Sequence, residues 1–182
     1  PYGKVSIDGQ KLATRAGNAA LLTDLFDEAI DRVRKVIEEK NPDCENKDEI
    51  ARKVGVGAVI FNQLSAGRIK DINFVWDEAL NFDGNTGPYI QYTYVRACSV
   101  LDKAEIPDVA LNTEITEDEK EMIKVLSLFP VRVRQALDDY EPSTISRYML
   151  DVCHAFNRCY HNCPIMKADD STKALRLRIC DT

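Results

Sequence analysis

An all-α helical bundle behind a short loop with a β remnant is the fold class this 182-residue sequence predicts, on three observations. Apolar residues recur at helical spacing in several separate windows. Helix-starting signals stand directly before those windows. Strand-like alternation is confined to the first few residues, at Val5–Ile7, among the glycines at positions 3, 9 and 17.

From Leu22 the pattern turns helical: Thr23 is expected to cap, Asp24 and Asp27 suit the first turn, and Leu25, Ala29, Val33, Val36 and Ile37 form one stripe that ends at "NPD". Residues 47–64 predict a second helix, with Ile50, Val54, Ala58 and Phe61 on one face. Its "VGVG" is poor helix chemistry, because each Gly costs about 1 kcal/mol against Ala. Close packing against a neighbour is the expected reason for Gly55 and Gly57. The segment "DINFVWDEAL" reads as a strand or a short helix, and periodicity does not decide between them. Thr86 caps the next helix, with Pro88 in its first turn, running to about Ala104. "TEDE" at 116–119 is a capping box ahead of Met122, Ile123, Val125 and Leu126. Pro130 opens a helix over 131–140, residues 145–161 carry the cleanest stripe in the chain, and a last helix begins near Ser171.

Composition narrows the function. Hydrophobic residues at 45% and charged residues at 30% are ordinary for a globular fold. No apolar run approaches the roughly 20 residues needed to cross a bilayer, and no signal-peptide pattern is present, so the expected address is cytoplasmic with no membrane partner. In that compartment the six cysteines read as reduced, apolar-like side chains. A net charge of −6 excludes a general polyanion binder and leaves DNA out. The charge is uneven, however: residues 1–120 sum to −7 and residues 121–182 to +1, so the last third is compatible with local contact to a folded RNA. The chain opens at Pro1 and ends inside "KALRLRICDT", which reads as a piece of a longer protein.

"CHAFNRCYHNC", residues 153–163, looks like a zinc site at first sight. The spacing of Cys153, Cys159, His161 and Cys163 lacks the paired-cysteine knuckle of structural zinc, and on a helix His161 points away from the Cys159–Cys163 face. No metal is expected. "FDGNTG" lacks the glycine spacing of a dinucleotide or Walker-type phosphate loop and reads as a turn that allows positive φ before the Thr86 cap. The helix after it is unusual. Tyr89, Tyr92 and Arg96 are spaced three and four apart and share one side, whereas Ile90, Tyr94, Ala97 and Leu101 occupy another that suits the core. Two phenols and a guanidinium on one face are what unpaired bases stack on. Buried rings with hydroxyls bonded to neighbouring helices are the other reading, and the helix taken alone leaves both open. No nucleophile stands with a base, and His154 and His161 are the only histidines, so a self-contained active site is not expected.

Three stretches in order, "GKVSIDGQKLATRAGN", "VGVGAVIFNQLSAGRIKDINFVWDEALNFDGNTGPYIQYTYVRACSV" and "AFNRCYHNCPIM" with "ALRLRICDT", resemble class I arginyl-tRNA synthetases over essentially the whole chain. The resemblance implies that residues 1–21 are the tail of the catalytic domain and that 22–182 are the helical anticodon-binding domain, short of its C-terminal end. It implies that "KLATR" stands at the KMSKS-like loop, with Lys11 and Arg15 as cations toward the triphosphate. Ala13 and Ala16 depart from the more usual "KMSTRKGN", while Thr14, Arg15, Gly17 and Asn18 are kept. The parent reaction joins arginine to tRNA(Arg) using ATP with Mg. The fragment itself, without the nucleotide and arginine sites, is expected to bind no cofactor and to be inactive. Contact with tRNA(Arg) is implied for Tyr89, Tyr92 and Arg96 and for Phe156 and Tyr160, although Phe156 also fits the core stripe. Arg147 and Arg158 are implied phosphate partners. The remaining partner is the catalytic domain of the same chain, in a monomer. The rival reading is a helical docking module, with Leu12, Leu21 and Leu22 on an interdomain surface.

Overall fold

The computed structural model describes residues 3–11 and 21–182. Strand β1 (Val5–Ile7) turns back into β2 (Gln10–Lys11) through Asp8 and Gly9. Both of these take positive φ, 46° and 77°, as a two-residue hairpin turn requires. Helices α1 (Leu22–Lys40) and α2 (Lys47–Ser65) follow, then β3 (Ile72–Phe74) and the single turn α3 (Trp76–Ala79). The rest is α4 (Gly87–Leu101), α5 (Glu117–Ser127), α6 (Phe129–Asp139), α7 (Ser143–Asn162) and α8 (Asp170–Asp181). The protein is therefore mostly helical, as the sequence predicts.

"DINFVWDEAL" holds both of its readings in succession, a strand and then a helical turn. β3 runs parallel to β1 with Ile7 opposite Phe74, giving the strand order β2-β1-β3. The Asn73 amide oxygen ties the edge by accepting from Gly9 N (2.8 Å) and Ser6 Oγ (2.9 Å). Phe74 and Trp76 then meet edge to face, with centroids 4.9 Å apart, and close a core with Leu25, Ala29, Val59 and Ala79. The opening β segment is thus built into the α1–α2 unit.

Gly55 has the reason expected of it. A Cβ there would lie 2.8 Å from the backbone of Ala29 and Ile30, so α1 and α2 approach too closely for any side chain. The cap of α1 differs from expectation. The N-cap is Leu21, not Thr23, and its N–H is satisfied by the Asp24 carboxylate at 3.2 Å. Thr116 does cap α5, with reciprocal bonds to Glu119. Glu119 then lies fully buried and accepts from Arg176 of α8, fastening α5 to α8.

α7 is the spine of the second core. Tyr148, Ala155, Phe156 and Cys159 pack on Met122 and Val125 of α5 and on Leu175 and Ile179 of α8. α4 lies across α7, and the contact between them carries the site.

Candidate nucleic-acid interface

The turn before α4 does positional work. Thr86 Oγ1 accepts from Tyr89 N at 3.2 Å, Pro88 occupies the first turn, and Gly87 sits where a Cβ would come 2.9 Å from the Gly57 carbonyl oxygen. The start of α4 is therefore jammed against α2, which sets the rotation of the helix. That rotation sends Thr93 inward, 5% exposed, and leaves Tyr94 70% exposed. The core position expected for Tyr94 is corrected: α2, α7 and α8 meet α4 from different sides, so no single apolar stripe governs it.

On the α7 side, Arg96 is held in four ways. Its Nη2 donates to the Tyr92 hydroxyl at 2.7 Å and its Nη1 donates to Asn157 Oδ1. Its Cζ lies 4.7 Å from the Tyr92 ring centroid and 5.1 Å from that of Tyr160. The guanidinium thus fills the slot between two phenols, and Phe156 stacks behind Tyr160 at 6.1 Å and 21°. Tyr92 and Tyr160 are 48% and 42% exposed, so both rings present a face to solvent. Such a stack of rings and cation offers stacking surfaces and spare N–H donors to a splayed base or phosphate.

Tyr89 is partly buried: its hydroxyl accepts from Asn157 Nδ2 at 3.0 Å, and its ring leans on His154 with centroids 5.6 Å apart. Phe156, 6% exposed, belongs to the core and is corrected as an outward stacking ring, because its position on α7 faces α5 and α8. Arg147 and Arg158 are not brought to the stack. Arg147 bonds Ser143 O (3.2 Å) and Ser143 Oγ (2.9 Å), more than three turns, about 20 Å, along α7 from Tyr160. Arg158 faces a separate groove beside Lys124 and Arg132. Lys11 ends β2, while Leu12 and Arg15 lie outside the described residues.

Sequence reasoning missed Asn157, Thr93 and His154, which hold the α4–α7 contact from below. An asparagine inside a helix between Phe156 and Arg158 was the available signal, since an amide costs helix propensity and needs partners.

The buried thiols beside the site are held in their protonated form. Burial raises the Cys153 thiol despite a hydrogen bond to Thr93, and burial together with Cys163 pushes Cys159 up to about 12. All six cysteines are free thiols. Among the described residues no three His, Cys, Asp or Glu side chains are placed to hold a metal. The geometry suits binding.

Comparison with known proteins identifies the family. Residues 90–182 match the DALR anticodon binding domain, and residues 2–76 match the catalytic domain of class I (R) tRNA synthetases. The chain belongs to the DALR anticodon-binding-domain family, its match covering half of the sequence. The relatives are more particular: it is 44% identical over 181 residues to arginine–tRNA ligase of Alkaliphilus metalliredigens, covering 98% of this chain and 32% of the relative. It is 45% identical over 184 residues to the arginine–tRNA ligase of Clostridium perfringens, covering 98% and 33%. The fold superimposes on Thermus thermophilus arginyl-tRNA synthetase with a TM-score of 0.89 at 32% identity, over 99% of this chain and 31% of that one. The chain spans about a third of the length of the curated relatives it matches.

Proposed function

We propose that this chain recognises the anticodon loop of tRNA(Arg) through the α4–α7 face, as part of an arginine–tRNA ligase that joins arginine to tRNA at the expense of ATP. The observation that carries the reading is the Tyr92–Arg96–Tyr160 stack, with both phenols facing solvent around a cation. Family membership and the arginine–tRNA ligase relatives support it. Within this reading the segment before α1 is the end of the catalytic domain and is coupled to the helices that follow through β1 and β3. The catalytic-domain match itself runs on to residue 76, so the core of the recognition unit is the part from residue 90 onward. The protein acts in the cytoplasm as a monomer, and no helix among the described residues is long and apolar enough to cross a membrane.

ATP, with Mg, supplies the driving force of the ligation. The loop expected to face its triphosphate begins at Lys11, the last residue of β2, and its residues 12–18 lie outside the described residues. No step of adenylate chemistry is assigned to this chain.

Titrating an arginine anticodon stem-loop, with a scrambled loop on the same stem as control, tests the reading. Binding that depends on loop sequence and weakens with added salt is expected. The rival reading, a docking scaffold, draws on an apolar groove of about 400 Å³ lined by α4, α5, α7 and α8 and bordered by the exposed Tyr94 and Phe129. Indifference to loop sequence favours that scaffold.

A further inference from the structure

Asn157 is an amide in mid-helix aimed at the neighbouring helix, and RNA recognition as described does not by itself call for it. Resting on the recognition reading, we infer that Asn157 is the positioning residue of the interface: it holds the Arg96 guanidinium between the Tyr92 and Tyr160 rings, so that Arg96 meets RNA already ordered.

An asparagine amide has one acceptor oxygen and two N–H donors. All three are used here. Oδ1 accepts from Arg96 Nη1, and Nδ2 donates to the Tyr89 hydroxyl and to Thr93 Oγ1, both at 3.0 Å. The orientation of the amide is chemically determined. Thr93 Oγ1 spends its own hydrogen on the Tyr89 carbonyl at 2.9 Å, so it faces Asn157 as an acceptor. A reversed amide would set N–H against the guanidinium, donor to donor. Thr93 is buried, which fixes this corner of the network to α4.

The consequence falls on Arg96. Asn157 and the Tyr92 hydroxyl take two of its five N–H donors, from opposite ends of the guanidinium. Three donors are left for a phosphate or a base edge. An arginine free to rotate gives up that freedom when it binds, whereas one already held does not. With its own polar groups all engaged, Asn157 acts through Arg96 and not by touching RNA.

The test has a spectroscopic arm and a binding arm on the same chain. In the unsubstituted protein, nitrogen-15 spectra of the Arg96 side chain should show separate Nη1 and Nη2 resonances from hindered rotation about Nε–Cζ. Freely averaged resonances would overturn the inference without any substitution. Asn157→Ala should average those resonances and weaken binding of an arginine anticodon stem-loop about tenfold. In an Arg96→Ala background, Asn157→Ala should cost no further affinity. Equal affinity of Asn157→Ala and wild type, or losses that simply add in the double variant, contradicts the assignment. A wild type that binds the scrambled loop equally well defeats the recognition reading, and the role given to Asn157 with it. Failure of Asn157→Ala alone leaves recognition standing.

Discussion

Arg96 of α4 lies with its Cζ 5.1 Å from the ring centroid of Tyr160 on α7, so one cation–π contact bridges the two helices that form the face. The same guanidinium covers Tyr92 on its own helix at 4.7 Å. A surface built this way carries its aromatic area and its charge in one place. Flexible side chains alone would have to be ordered at the moment of binding.

Ring by ring, substitution should separate binding from stability. Tyr92→Ala and Tyr160→Ala remove half-exposed rings, and each should cost roughly 1–3 kcal/mol in stem-loop affinity while thermal melting shifts little. Phe156→Ala empties a core position and should cost about 3–5 kcal/mol of stability. Calorimetric titration beside thermal melts of the same variants decides the matter. Tyr92→Ala that melts early and binds normally when folded would make that ring structural.

The two glycines of α2 should respond to alanine with opposite signs. At Gly55 the new Cβ meets Ala29 and Ile30 backbone at 2.8 Å, which cannot yield, so Gly55→Ala should destabilise by roughly 1–3 kcal/mol despite better helix propensity. At Gly57 the nearest atom, at 2.7 Å, is the far end of the Gln91 side chain, which can move. Gly57→Ala should be neutral or should gain up to about 1 kcal/mol. Denaturant melts of the pair read both.

The burial of Glu119 opposes its ionisation, but Arg176 and the bonds from Thr116 outweigh that and hold its carboxyl below the ordinary value of 4.5. The sign follows: its stabilisation is complete above the ordinary value and is lost as pH falls through the lower folded value. Glu119→Gln leaves Arg176 without its charge partner and should cost about 3 kcal/mol or more at neutral pH. The gap between variant and wild type should close on acidification, as melting temperature against pH would reveal.

Thiol reactivity should follow burial. Cys159 is pushed up to about 12 and Cys180 to about 11, chiefly by burial, so both are protonated at pH 8 and slow to alkylate. Timed iodoacetamide labelling read by mass spectrometry should modify the partly exposed Cys44 well before Cys159. Rapid modification of Cys159 in the folded protein contradicts this core.

Much of the fold was legible because helices announce themselves locally. "TEDE" became the α5 cap, and the Thr86–Gly87–Pro88 run became the start of α4, each through neighbours in sequence. The pairing of β1 with β3 was not legible, since it joins Val5 to Ile72 and depends on what packs over both. At the site, Tyr92, Arg96 and Tyr160 could be picked out as residue types that stack. Asn157 escaped because its partners sit on another helix. Arg147 and Arg158 stand on the helix that the resemblance singles out, but their charge says nothing of which face of α7 each occupies. Tyr94 went wrong for a related reason: a helix contacted from three sides has no one apolar stripe to read.

The most direct measurement is chemical-shift mapping of an arginine anticodon stem-loop on the isotope-labelled chain, with the scrambled loop in parallel. Perturbations centred on Tyr92, Arg96, Asn157 and Tyr160, present with the arginine loop and weak with the scrambled one, are the result expected. Perturbations confined to the apolar groove bordered by Tyr94 and Phe129, or identical for the two loops, would contradict the claim that this face reads the anticodon.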